Sequence, residues 1–145
     1  MSITKQALQD KILQGIPISR DMAFTIDHLD DHSITVRGGG QQNINVHQTA
    51  FAGSLYCMCT LAVWGLVNSR LPDNASLVMA NASIDYLKPV KGDIVANAGL
   101  SEAQIQSFLD NLHSDGKARL EAMAMVNNEQ QTAVKFTAVL YARLC

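Results

Sequence analysis

The stretch Asn45-Val46-His47-Gln48-Thr49-Ala50-Phe51-Ala52-Gly53-Ser54-Leu55 leads into Ala50 to Val67, a run without a formal charge. A helix apolar on nearly all sides is a buried one. The first N–H groups of such a helix have no intrahelical acceptor and carry the positive end of its dipole, so they suit a developing oxyanion. Ala52 and Gly53 stand at that start, and small residues there let a carbonyl approach the backbone closely. Gly53 equally suits tight packing of helix on sheet. Asn45 offers an amide that donates and accepts at once, which suits orienting a water. An Asn in a loop also commonly bonds its own backbone. His47 is the titratable group beside them whose ordinary pKa lies near neutrality, the property of a general base.

Cys57 and Cys59 look like a metal pair but lie two apart on this helix, about 200° around its axis, so they cannot grip one ion together. They read as core residues. His28, His32 and His113 lie in separate segments without metal-ligand spacing and read as surface residues. No metal is expected. Met58, Met79, Met123 and Met125 read as core or pocket lining.

The elements that must position these residues belong to a chain of 145 residues, 48% hydrophobic and 17% charged, with a formal net charge of -2. That length is expected to form one domain spanning 1–145 and can bury a core without staples. The absence of a basic balance argues against nucleic acid as a partner. Three cysteines give no disulfide framework. The N-terminal residues lack a basic start and an uninterrupted apolar stretch, so no signal peptide is read and a cytoplasmic location is expected. Ala50 to Val67 approaches membrane-span length, but Gly53, Ser54, Tyr56, Thr60 and Gly65 dilute it and no basic cluster follows. No membrane span is expected.

Residues 3–14 have helical spacing before Gly15 and Pro17, which act as stop signals. Met22 to His28 and Ser33 to Arg37 read as a hairpin, with Met22, Phe24 and Ile26 on one face. Leu77 to Tyr86 alternates, with Val78, Ala80, Ala82, Ile84 and Tyr86 facing one way. Ile94 to Leu100 is a further strand. Ser101 with Gln104 forms a capping box before an amphipathic helix near 102–113 that Gly116 ends. Ala118 to Val126 and Thr132 to Ala142 close a last hairpin. A sheet with one face to hide and a helix with nearly everything to hide fit together if the sheet wraps the helix, which makes the class α+β.

That order, with its Asn45 to Leu55 stretch and the Trp64-Gly65 pair, resembles the hot-dog fold thioesterases. It is most similar to the thioesterase-like domain at the C-terminus of YiiD-type acetyltransferases, which also occurs alone. Ser83-Ile84-Asp85-Tyr86-Leu87-Lys88-Pro89-Val90-Lys91-Gly92-Asp93 is similar to the strand-turn-strand signature of hot-dog thioesterases. The resemblance covers residues 20–143. It implies an antiparallel sheet around a central helix of about residues 50–67, with the 102–113 helix as an extra.

The same resemblance implies hydrolysis of an acyl thioester carried by coenzyme A or an acyl-carrier protein. Coenzyme A would be part of the substrate, with no separate cofactor. Asn45 aligns with an Asn that contacts thioester or water. Ala52 and Gly53 supply the oxyanion hole, and Thr60 stands where relatives carry an Asp or Glu. Phe51, which replaces a His of a related motif, joins Ser54, Asp85, Lys88 and Lys91 as candidate substrate contacts. Gln48 and Ala52 stand where such stretches more often have Gly. The site is expected between subunits of a homodimer or homotetramer. A non-catalytic acyl-thioester binder on the same fold is the alternative, kept open by Thr60. A dehydratase ranks last, because Phe51 stands where its His would be.

Overall fold

In the computed structural model, which describes residues 3–145, Thr4 opens α1 (Lys5–Gly15) by accepting a bond from the Ala7 amide. Leu8 and Ile12, one turn apart, form its buried stripe. Pro17 does not only stop this helix. Its φ of -55° suits a helical first turn, and α2 (Ile18–Asp21) follows it. The first strand is therefore shorter than its alternation suggested. β1 (Thr25–Leu29) starts after a turn in which Ala23 has φ 52°, yet Met22, Phe24 and Ile26 are all buried.

β2 (Ser33–Gly38) returns along β1 through a turn built on Asp30. The Asp30 carboxylate accepts from the amides of His32 and Ser33, both at 2.8 Å. The His32 amide foremost, and then the His28 ring, hold the Asp30 pKa well below the usual carboxylate range. After the central helix α3 (Ala52–Asn68) come β3 (Ala75–Tyr86), β4 (Ile94–Gly99), α4 (Glu102–Asp115), β5 (Lys117–Asn128) and β6 (Gln131–Leu144).

The six strands form one antiparallel sheet in the order β1-β2-β4-β5-β6-β3. α3 lies against β2, β3, β4, β5 and β6, so the sheet wraps it as the apolar pattern required. Leu55, Met58, Cys59, Ala62, Val63 and Leu66 carry it into the core. Truncating a fully buried side chain such as Met58 to Ala costs about 2–5 kcal/mol. Burial pushes the Cys59 thiol up to about 12, so it packs as a neutral apolar group. β4 meets β5 only through Ala96, Asn97 and Ala98. α4 lies against β5 with Ile105, Phe108 and Leu112 buried. Among the described residues no helix is long and apolar enough to cross a membrane.

Two sequence expectations change here. The β3–β6 register shifts between Met79 and Asn81, a bulge at Ala80 that inserts one residue and swaps the faces. Val78 and Ala80 are consequently exposed, whereas Leu77 is buried and Ala82 and Ile84 are partly so. Met123 and Met125 are not core residues. On β5 the even-numbered residues from Ala118 to Val126 face inward, so both methionines fall on the outer face, and Met123 is 51% exposed.

Candidate active site

The loop before α3 is built by two asparagines. Asn43, fully enclosed, donates its side-chain amide to the carbonyls of Met22 (2.9 Å) and Gly39 (2.7 Å). Its own carbonyl accepts from Phe51 N at 2.8 Å, which fixes the residue that starts the helix. Asn45 folds the segment between. Its Oδ1 accepts from the amides of His47 (2.8 Å) and Thr49 (3.2 Å), and its Nδ2 donates to Thr49 Oγ1 (3.0 Å) and the Ala50 carbonyl (3.2 Å). Asn45 is thus the organiser of its own turn. Gln48 sits in that turn at φ 64°, a left-handed conformation that glycine adopts freely.

A second loop is tied to the first. Ala50 N donates to the Val90 carbonyl at 2.8 Å, and Gly40 N donates to Asp93 Oδ1 at 2.8 Å. A Cβ at Gly40 would lie 2.7 Å from the Gly92 backbone, so only glycine permits this approach. The Gly40 amide, followed by the Arg37 guanidinium, keeps the Asp93 carboxyl below its ordinary value. Between the two loops lies a cleft of about 320 Å³ bordered by Asn45, Thr49, Ala52, Leu55, Tyr86 and Lys88.

The start of α3 opens on this cleft through Ala52 and Leu55. Phe51 at the N-cap gives no side-chain bond, and the first backbone bond is Leu55 N to Phe51 O at 3.0 Å. Among the described residues nothing accepts from the amides of Ala52, Gly53 or Ser54. The ring of Phe51 lies over Gly53, where a Cβ would come within 2.5 Å of it. Tyr86 donates its hydroxyl to the Ala52 carbonyl at 3.0 Å and so pins the helix start to β3. Desolvation raises the Tyr86 phenol above its ordinary value, which keeps it a neutral donor. Lys88 borders the cleft and bonds Gln131 Oε1. With no carboxylate on its walls, the cleft favours negative charge through the helix dipole and this lysine.

The other candidates lie elsewhere. His47 is exposed on the turn that Asn45 organises. Thr60 lies two turns along α3, and its hydroxyl donates to the Tyr56 carbonyl at 2.9 Å, the usual bond of a helical threonine. Asp85 is exposed beside Lys135 on the outer sheet face, away from the cleft. Ser54 is half-buried and Lys91 is exposed, and neither borders the cleft. Sequence reasoning did not select Asn43, Thr49 or Tyr86. The alternation of β3 had put Tyr86 on the inward face, which was the available signal.

The fold is one that known proteins share. The family described as "Putative thioesterase (yiiD_Cterm)" matches residues 5–142. A protein of unknown function from Chlorobaculum tepidum TLS superposes with a TM-score of 0.92 at 27% identity, covering 97% of this chain and 94% of its own. A "putative thioesterase" from Shewanella oneidensis gives a TM-score of 0.81 at 26% identity over 97% of both chains. A "probable thioesterase" from Pseudomonas aeruginosa, 18% identical, shares the fold at a TM-score of 0.89 over 100% of this chain and 99% of its own. A sheet wrapped on one apolar helix, an Asn-organised loop at that helix's open start and a family match over nearly the whole length agree: the chain belongs to the yiiD C-terminal thioesterase family and has the hot-dog fold.

Proposed function

We propose that the protein hydrolyses acyl thioesters carried by coenzyme A or an acyl-carrier protein. The observation that carries this reading is the uncapped start of α3, with the amides of Ala52 and Gly53 unpaired where the helix opens on the Asn45–Tyr86 cleft. Water adds to the thioester carbonyl carbon, and the oxygen takes the charge against those amides. Collapse of the tetrahedral intermediate breaks the C–S bond. The thiolate takes a proton, leaving a carboxylate and a free thiol. Donors already aimed at the oxyanion need no reorganisation during the reaction, and losing one costs about 10²–10³ in rate. Asn45 acts by holding the turn that presents Ala50 and Phe51. Thr60 would at most position a water, because its proton is already committed to Tyr56. Phe51 and Ser54 flank the acyl group, and Lys88 and Lys91 lie toward the coenzyme A phosphates. Asp85, on the outer sheet face, has its place in a subunit contact.

The working unit in this reading is a cytoplasmic homodimer or homotetramer with the site at the subunit interface. β3 is an edge strand, and the cleft borders its end at Tyr86. Phe51 (54%) and Leu87 (51%) are exposed beside it, an apolar rim that a second copy would cover. Neither carboxylate nor imidazole borders the cleft within one chain, so the general base is His47 after a turn of its side chain or a group of the second copy. The same observation favours the alternative, an acyl-thioester binder without turnover. Incubating the protein with coenzyme A and carrier-protein thioesters and following free thiol decides between them. Thiol release above background supports hydrolysis. Saturable binding without release supports the binder, and neither result would reject both.

A further inference from the structure

Tyr86 and Gly53 are joined through one peptide unit. The Tyr86 hydroxyl donates to the Ala52 carbonyl at 3.0 Å, and that carbonyl belongs to the same peptide group as the Gly53 amide. The Gly53 N–H is one of those at the open start of α3 from which nothing accepts among the described residues. Peptide resonance couples the two ends of the group: electron density drawn to the oxygen by a donor leaves the nitrogen, and the N–H becomes a stronger donor in its turn. A carbonyl oxygen has two lone pairs, so the phenol bond adds to the helix ladder without displacing it.

The donor is held in place by the strand that carries it. β3 ends at Tyr86, opposite Val134, and the next two amides, Leu87 N (2.7 Å) and Lys88 N (3.1 Å), both donate to the carbonyl of the fully buried Ala133. The same loop accepts at Val90 from Ala50 N, just before α3, so phenol and helix start cannot drift apart. The ring itself is 48% exposed on the cleft wall, which leaves its hydroxyl bond, and not burial, to fix its orientation.

We propose that Tyr86 is a positioning residue for the reaction: its hydroxyl, acting through the Ala52–Gly53 peptide, strengthens the Gly53 N–H as a donor to the thioester oxyanion. The proposal rests on the thioester reading above. It needs a protonated phenol, and the desolvation that raises the Tyr86 phenol above its ordinary value maintains one.

The test follows thiol release from the fastest acyl-coenzyme A thioester of a straight-chain and aryl series. Tyr86→Phe keeps the ring and removes the hydroxyl. It should lower kcat about two- to eightfold, since cooperativity adds about 10–30% to a hydrogen bond and an oxyanion donor is worth about 10²–10³ in rate. The Kd of the matching S-alkyl thioether, which lacks the carbonyl, should stay unchanged, and the NMR resonance of the Gly53 amide nitrogen should move upfield. Mono-, di- and trifluorotyrosine in place of Tyr86 acidify the phenol and strengthen its donation. On the acid side of each phenol's pKa, kcat should rise along the series. The alkaline limb of the pH profile should move to lower pH in step, because a phenolate cannot donate. Tyr56, Cys57 and Cys59 of α3 act electrostatically on Tyr86, Lys88 borders the same cleft, and β6 meets it with Val134; none of these changes across the series, so a limb that tracks fluorination belongs to Tyr86. A limb that stays put, a kcat unmoved by Tyr86→Phe or an unshifted Gly53 resonance overturns the role and leaves hydrolysis standing. Equal losses of kcat and thioether binding, with a lowered unfolding temperature, reduce Tyr86 to packing and overturn it too. No thiol release from the wild type rejects the thioester reading and the role together.

Discussion

The starts of α3 and α4 are opposites. At α4, Ser101 accepts from Gln104 N at 3.1 Å while Gln104 Oε1 accepts from Ser101 N at 2.9 Å, a reciprocal cap with Glu102 added to the first turn. Glu102 in turn bonds His32 at 2.6 Å and Arg70 at 3.3 Å. α3 begins instead with Phe51, no side-chain acceptor and no acidic residue in its first turn. A capping box satisfies the orphan amides and stabilises the fold; an open start leaves them for whatever enters the cleft. The longest helix in the molecule thus forgoes a cap worth about 1 kcal/mol at its most important end, and tertiary burial makes that tolerable. The difference separates an element that only supports from one that also presents donors.

Making α3 resemble α4 is the strongest way to break the comparison. Phe51→Asp places a carboxylate where it can accept from the Ser54 amide and compete with an oxyanion. Thiol release should fall about 10²–10³-fold, while thermal unfolding should show stability unchanged or raised by about 1 kcal/mol. A variant as active as the wild type would show that the open start is not used. Asn45→Ala comes next, because it removes five hydrogen bonds that shape the turn. We expect about a 10²-fold loss of kcat/KM with a loss of stability of about 1–3 kcal/mol, read by kinetics and by denaturant unfolding. Loss of rate without loss of stability would restore Asn45 to direct contact with water or substrate.

Three smaller effects sharpen the contrast. Ser101→Ala should cost about 1 kcal/mol in unfolding free energy and leave thiol release unchanged. Gln48→Gly should relieve the left-handed residue in the Asn45 turn and stabilise by about 0.5–1 kcal/mol, measured by chemical unfolding. The last effect is one of pH. Asp30, Asp93 and Glu102 are all held below their ordinary values by hydrogen bonds, first from His32 N, Gly40 N and the His32 ring respectively. A carboxylate depressed in the folded state stabilises above its unfolded pKa, here about 3.9–4.3, and that contribution is lost as pH falls toward the folded value. Stability should therefore be level above about pH 5 with respect to these groups and decline on acidification. Glu102→Gln should flatten the decline in an acid unfolding series, and an unchanged slope would remove it from the account.

Much of this was legible before any coordinates. Apolar runs and their period place α3, the alternating runs of β5 and β6, and the capped start of α4, because local pattern and burial follow the same residues. Less was legible where one residue shifts a register. The Ala80 bulge reverses the faces of Val78 and Ala80, and no composition rule marks it. The site divides the same way. Ala52 and Gly53 were readable as a helix start, but the cleft that makes it a site needs Tyr86 and Val90, which lie more than thirty residues away in sequence. Thr60 and Asp85 were placed by analogy, and the local bonds of one and the strand parity of the other take them away from the cleft.

By itself the amino-acid sequence determined the order of the main elements, the buried central helix, the capping box and a small-residue helix start, all consequences of neighbours a few residues apart. Tertiary structure alone decided that Asn45 spends its amide on its own turn, that Tyr86 pins Ala52, and that α1 packs onto α3 at Gly65. The physical reason is range. Propensity, capping and periodicity act within a turn or two of chain, whereas a cleft is the meeting of loops whose contacts exist only once the sheet has closed around α3.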